Sequence, residues 1–345
     1  MGLYFPNIPV EYIKSLNAFV GISMGQKAQK YPLSLLIFSI VFLIIGWVFS
    51  EELCLKLGLL RQSLLHENPS VRSIALHTIS FLKMSMFILS GLLFVLFFSW
   101  PKLSHLKLIQ NIYQHKPFYP KPDFSLHGVF NPSLLILGSA ILLTLLYTVF
   151  GKQVFSDSLN QWITKEDGLM EWGSALMFLL ASLFAAMAAY HSPKTSYRIT
   201  LSIFAFLFFA CFGEEISWGQ RIFDLKTPES LEKVNIQGEI NIHNSVGYLA
   251  DHLFILSLFL YGFAAPLLSA CSPFFRNVFD KMGIPIASSG LALSFLFISL
   301  MHDWTVYRVI SPWELRVAEL REMLSAFGLL LLMFEANCYL GNQKK

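Results

Sequence analysis

Eight apolar stretches of about 20 residues limit what this chain can fold into more than any other feature. They begin near Leu33, Met84, Asn131, Gly168, Ile199, Gly247, Ile284 and Ala318. A helix rises about 1.5 Å per residue, so each stretch is long enough to cross a hydrocarbon core about 30 Å thick. Lipid offers no partner to a backbone amide, so a spanning segment must satisfy its own hydrogen bonds as a helix. The sequence therefore predicts an all-α fold, a polytopic transmembrane helix bundle of about eight spans with both termini on the same side. Charged residues make up 14% of the 345, and hydrophobic ones 55%. A soluble domain carries about 25% charged residues, so much of this chain has lipid as its solvent. The formal charge of +3 comes with no basic stripe, which argues against nucleic acid as a partner.

Residues 33–345 read as a single transmembrane helical domain, with a re-entrant or interfacial loop at 214–246. Residues 1–32 read as an N-terminal interfacial segment. Within it Tyr12, Ile13, Leu16, Phe19 and Val20 share one helical face, to lie on the membrane or pack on the bundle. No cleavable signal peptide or myristoylation site is expected. Cys54, Cys211, Cys271 and Cys338 have no metal-finger spacing and are expected to be reduced.

Lysines and arginines divide almost evenly between the two sides. The first span decides the orientation, because Lys27 and Lys30 precede it while Glu51 and Glu52 follow it. Cytoplasmic termini follow from that asymmetry. Acids divide very unevenly. Only Glu11, Asp123, Asp280 and Glu335 fall on the terminal side. Trp162, Trp172, Trp218, Trp304 and Trp313 fall on the other side, where an interfacial aromatic belt would place them.

Span lengths bring the carboxylates into the membrane. The fifth span has 15 uncharged residues, Ile199 to Gly213, so its helix must continue through Glu214 and Glu215 to about Trp218. The eighth must take in Glu319 and Glu322 at one end and Glu335 near the other. Glu171 stands in the first turn of the fourth, just after Glu166 and Asp167. Asp251 and His252 open the sixth, and His302 and Asp303 end the seventh. Five helices thus carry acids or histidines to a similar depth. A lone acid at a helix end snorkels to water, which is the reading for Glu166, Asp167 and Glu335. Adjacent helical residues point about 100° apart, so Glu214 and Glu215 cannot both snorkel along one stripe. That pair is the leading candidate for a buried or catalytic role.

Gly213 to Asn244 is the densest stretch. Arg221 is near enough to fold back on Glu215 or to pair with Glu239. Thr227-Pro228-Glu229 reads as the start of a short surface helix, and Asn241, His243 and Asn244 as a return to the membrane face. The candidate catalytic set is Glu214, Glu215, Arg221, Glu171 and Glu322. His243, His252, His302 and Asp303 are possible ligands of a divalent metal, although their spacing is no recognised metal signature.

The segments Glu166-Asp167-Gly168…Glu171-Trp172, Gly213-Glu214-Glu215-Ile216-Ser217-Trp218-Gly219-Gln220-Arg221 and Asn235…Gln237-Gly238-Glu239…Asn241…His243-Asn244 resemble those of a family of uncharacterised bacterial multi-pass membrane proteins. The resemblance covers the half from the fourth span onward. It implies a bacterial inner (plasma) membrane and brings no activity with it. Part of the chain is also similar to CAAX-type glutamic intramembrane proteases, which pair Glu-Glu-x-x-x-Arg with Phe-x-x-x-His and a later His-x-x-x-Asn. Glu214-Glu215 begins the first motif, but Gly219 replaces the Arg and Arg221 comes two residues late. His302 fits the second, with Ile298 in place of the Phe, and no histidine follows it for the third.

Three functions fit these residues. One is a membrane-embedded hydrolase or transferase, with or without a divalent metal, acting on a lipid or lipid-linked substrate. The others are a proton-coupled transporter and a non-catalytic scaffold that holds a membrane-protein partner. The sequence names no substrate.

Overall fold

The computed structural model describes residues 33–57, 64–65, 67, 69–165, 168–220, 223, 227, 240, 248–301 and 317–343, with only the backbone of 34, 57, 70, 71, 74, 248–252, 317 and 318. Among these residues every regular element is helical. The elements that position the site are α1 (Leu33–Val48), α2 (Glu51–Leu57), α3 (Pro69–Leu103), α4 (Lys107–Tyr113), α5 (Leu126–Val129), α6 (Pro132–Val154), α7 (Asp157–Thr164), α8 (Leu169–His191), α9 (Thr195–Glu215), α10 (Tyr248–Leu258), α11 (Ala265–Cys271), α12 (Pro273–Met282), α13 (Ser289–Leu300) and α14 (Val317–Asn342). Six helical stretches are long and apolar enough to cross a membrane: Ala75–Leu103, Pro132–Val154, Asp157–His191, Thr195–Glu215, Leu253–Cys271 and Glu319–Asn342. The first and seventh expected spans are shorter apolar helices, Leu35–Val48 and Ser289–Leu300. The molecule is an all-α membrane bundle. The segment expected at residues 9–23 lies outside the described residues.

Helix α8 packs against both α9 and α14. Its buried residues are Ser174, Ala175, Phe178, Ala181, Ser182, Ala185, Ala188 and Ala189, a stripe at helical spacing. Small side chains let the backbones approach closely, which is how helices associate where lipid removes the hydrophobic drive. Ser182 Oγ uses the closeness to donate to Ala205 O on α9, at 2.7 Å. A similar device joins α1 to α3. Ser39 Oγ donates to Ser90 O at 2.9 Å and Ser90 Oγ to Ser39 O at 2.8 Å, a reciprocal clamp between two otherwise apolar helices.

The sixth span is helical from Tyr248 to Cys271 but widens into a π-turn over Phe259–Ala264. Pro266 explains the widening, because it has no N–H to give to the preceding turn and its ring crowds the carbonyl there. Gly262 lies in this turn, and a Cβ there would stand 2.5 Å from the Phe295 ring, so α13 can approach only a glycine. Tyr261 is turned to donate to Pro285 O at 2.9 Å.

That bond leads to a departure from the expected seventh span. Residues 284–288 lie outside any helix and are mostly buried, and the helix begins only at Ser289. With 12 residues, α13 covers about 18 Å of a hydrocarbon core about 30 Å thick. Non-helical backbone at such depth persists only where protein surrounds it. Helix α14 serves both ends of this half-helix. At its N-terminus Glu335 accepts from Ser288 N (3.1 Å), Ser288 Oγ (2.6 Å) and Ser133 Oγ at the start of α6. At its C-terminus buried Arg321 donates to Met301 O at 3.4 Å. A carboxylate at the positive end and a guanidinium at the negative end complement the helix dipole, each worth about 0.3–2 kcal/mol. Glu335 is therefore not a snorkelling acid but the shared anchor of α6, α13 and α14. Glu335→Ala leaves three donors without their acceptor, and hydrogen bonds to charged groups are worth about 1.5–3 kcal/mol each. We expect a lower thermal unfolding midpoint in detergent, with Glu335→Gln falling between it and the wild type.

Candidate functional site

The last turn of α9 ends at Glu215, and the chain then turns sharply. Ser217 (φ 46°), Trp218 (φ 53°) and Gly219 (φ 77°) are consecutive residues in the left-handed region. For Ser and Trp that conformation is costly, and such strain gathers at functional sites. The helix thus runs through both carboxylates but does not reach Trp218 as a regular helix. The turn throws the Trp218 ring back over α9, where its Nε1 donates to Glu214 Oε1 at 2.7 Å. Gly213 makes room, since a Cβ there would be 2.8 Å from the ring. Gln220 follows, with Nε2 donating to Thr227 Oγ1 at 2.8 Å and Oε1 accepting from Ile240 N at 2.6 Å. One side chain thereby ties two points of the long loop to the end of α9.

Glu215 points the other way, as neighbours 100° apart on a helix must. Its Oε2 lies 2.6 Å from Ser174 Oγ on α8. The same hydroxyl lies 2.8 Å from Glu171 O, one turn earlier. Among the described residues, Glu319, at the start of α14, and Glu214 are charged neighbours of Glu215. The site therefore sits where the start of α8, the end of α9 and the start of α14 meet. Glu322 is one turn further along α14, half-buried. Trp162, Trp172 and Trp218 are exposed around this end, as a belt at the lipid–water boundary would be.

Glu171, Glu214, Glu215 and Glu322 are thus placed at one end of the bundle. Arg221, His243, His302 and Asp303 lie outside the described residues, as do Glu166, Asp167 and Glu239; for His252 only the backbone, in the first turns of α10, is described. Among the described residues no three His, Cys, Asp or Glu side chains are grouped as metal ligands would be. Sequence reasoning missed two participants. Ser174 stands three residues after Glu171, a signal only once α8 is known to face α9. Arg321, between Glu319 and Glu322, was legible as the one base among the acids of the eighth span.

The opposite end holds a second polar centre, also missed. Asp280 on α12 is buried and accepts five hydrogen bonds: from Phe118 N (2.8 Å), Tyr119 N (2.7 Å), Tyr197 Oη (2.8 Å), Lys194 Nζ (3.2 Å) and His115 Nε2 (2.7 Å). Burial alone would raise its pKa. The bonds from His115, Tyr119, Tyr197 and Lys194 outweigh burial and hold the carboxyl below the usual range. Every acceptor position is filled from within the chain, so this centre fastens the 114–119 segment, α9 and α12 together.

The chain was compared with protein-family models, curated proteins and solved structures. None matches it. The reading of the site therefore rests on its own geometry.

Proposed function

We propose that the chain is a membrane-embedded enzyme in which Glu215 exchanges a proton with a lipid or lipid-linked substrate at the extracytoplasmic interface. The observation that carries this reading is a carboxylate on a membrane helix, inside a junction of three helices, bonded to a serine and flanked by a strained turn. A carboxylate left in lipid costs several kcal/mol, so one retained at this depth marks a functional site by default. Held in a poorly solvated junction, a carboxyl is suited to general acid–base work. Exposed Trp172 and Trp218 beside it suit an amphiphile whose head group reaches the carboxyl while its chains remain in the bilayer.

The test compares lipid extracts of cells carrying the wild type, Glu215→Gln or no copy. One lipid species should accumulate equally in the last two. Extracts identical in all three contradict the reading. A second reading, proton-coupled transport, draws on the half-helix α13 and the non-helical segment before it, since broken helices are common in transporters. It predicts unchanged extracts together with Glu215-dependent proton uptake by vesicles containing the purified protein.

A further inference from the structure

Ser174 poses a hydrogen-counting problem. A serine hydroxyl has one hydrogen and accepts with its lone pairs. Ser174 Oγ lies within hydrogen-bond distance of Glu171 O at 2.8 Å and Glu215 Oε2 at 2.6 Å. A backbone carbonyl can only accept, and an ionised carboxylate can only accept. With both, one of these two short oxygen contacts lacks a hydrogen, in a place where Ser174 is 1% exposed. Both contacts are satisfied at once when Glu215 is a carboxylic acid. Its O–H donates to Ser174 Oγ, and Ser174 donates onward to Glu171 O.

We propose that Ser174 and Glu215 form a reversible proton-binding pair, with the proton on Glu215 in the resting protein. The hydroxyl makes the pair work in both states. When Glu215 releases its proton, rotation about the Ser174 Cβ–Oγ bond redirects the single hydrogen from Glu171 O to the new carboxylate. The proton leaves to the substrate or to water, so the Glu215 O–H is the only covalent bond broken, and the Ser174 hydrogen bond to Glu171 O is exchanged for one to Glu215. Glu171 O keeps its ordinary helical hydrogen bond from the backbone. Among the described residues, the groups beside Glu215 are Ser174 on α8, Cys211 and Glu214 on α9, and Glu319 on α14. Asp251 and His252 open α10 at the same end. Ser174 is here a positioning residue, and Glu215 the group that carries the proton. The inference deepens the enzyme reading, because it makes the resting site a general acid rather than a base.

Two measurements on the purified full-length protein test it. An apolar carbodiimide adds to a carboxylic acid and not to a carboxylate, so wild-type protein at neutral pH should be labelled on Glu215, as located by peptide mass spectrometry. In the infrared spectrum, the wild type should show a carboxylic acid C=O band that Glu215→Gln lacks. Ser174→Ala should keep that band but shift its frequency, because the acid has lost its acceptor. A merely structural serine would not move it. Absence of label on Glu215, or spectra of wild type and Glu215→Gln that agree in the acid band, overturns the pair. Labelling of the wild type needs no variant to fold. A labelled Glu215 with unchanged lipid extracts would uphold the proton-binding pair and end the enzyme reading, so the two failures are distinct.

Discussion

Asp280→Ala should cost the protein about 3–5 kcal/mol, the range seen when one partner of a buried charge network is removed. The substitution leaves Lys194, His115, Tyr197 Oη and two backbone N–H groups facing a cavity lined with tyrosines. Tyr119 is 7% exposed and Tyr197 0%, so water does not reach the tyrosine side of the lost acceptor, whereas Lys194 and His115, with side chains 34% and 22% exposed, can turn to solvent. The expected result is a sharply lower unfolding midpoint in detergent and poor accumulation in cells. Asp280→Asn keeps one acceptor oxygen and should fall between. The pH dependence follows from the direction of the shift. Asp280 is held below its usual pKa when folded, so its contribution is full above the unfolded value and is lost as pH falls through the lower, folded one. Wild-type protein should therefore lose midpoint on acidification below the ordinary carboxylate range, and Asp280→Asn should lose less. Equal slopes for the two would remove Asp280 as the cause.

Glu215→Gln should behave in the opposite way. Glutamine keeps the size of the side chain, its amide N–H can donate to Ser174 Oγ as the acid O–H does, and the junction holds a neutral group in both proteins. Accumulation and unfolding midpoint should stay near the wild type. What disappears is the proton, and a lost general acid or base costs about 10²–10⁴-fold in rate. Ser174→Ala should cost less, since Glu215 keeps its proton and loses only its orientation. The contrast between the two ends is the useful result: one carboxylate supports the fold and the other the chemistry.

Local signals carried much of this architecture. Asn131 caps α6 and accepts from Leu134 N at 2.9 Å, which is why that helix starts where the apolar run does. The divergence of Glu214 and Glu215 followed from helical geometry alone, and Trp218 and Ser174 now give each its separate partner. The non-helical stretch at 284–288 was hidden because its apolar residues read equally well as helix. Pro285 was the available warning, since it biases Ile284 away from helical angles. The Asp280 centre was illegible for another reason. Its donors come from residues 115–119, 194 and 197, and no periodicity connects positions so far apart. The π-turn at Gly262 and the dipole clamp on α13 likewise depend on which helices are neighbours.

The central claim is that the carboxylate at the junction of α8, α9 and α14 does the protein's work. It is tested most directly by complementation at matched accumulation. Cells lacking their own copy receive the wild type, Glu215→Gln or, as a control, Glu166→Gln, and membrane levels are equalised by immunoblot before growth and lipid extracts are scored. The account predicts that Glu166→Gln restores the wild-type phenotype while Glu215→Gln, present in equal amount, restores none of it. Full restoration by Glu215→Gln would contradict the account.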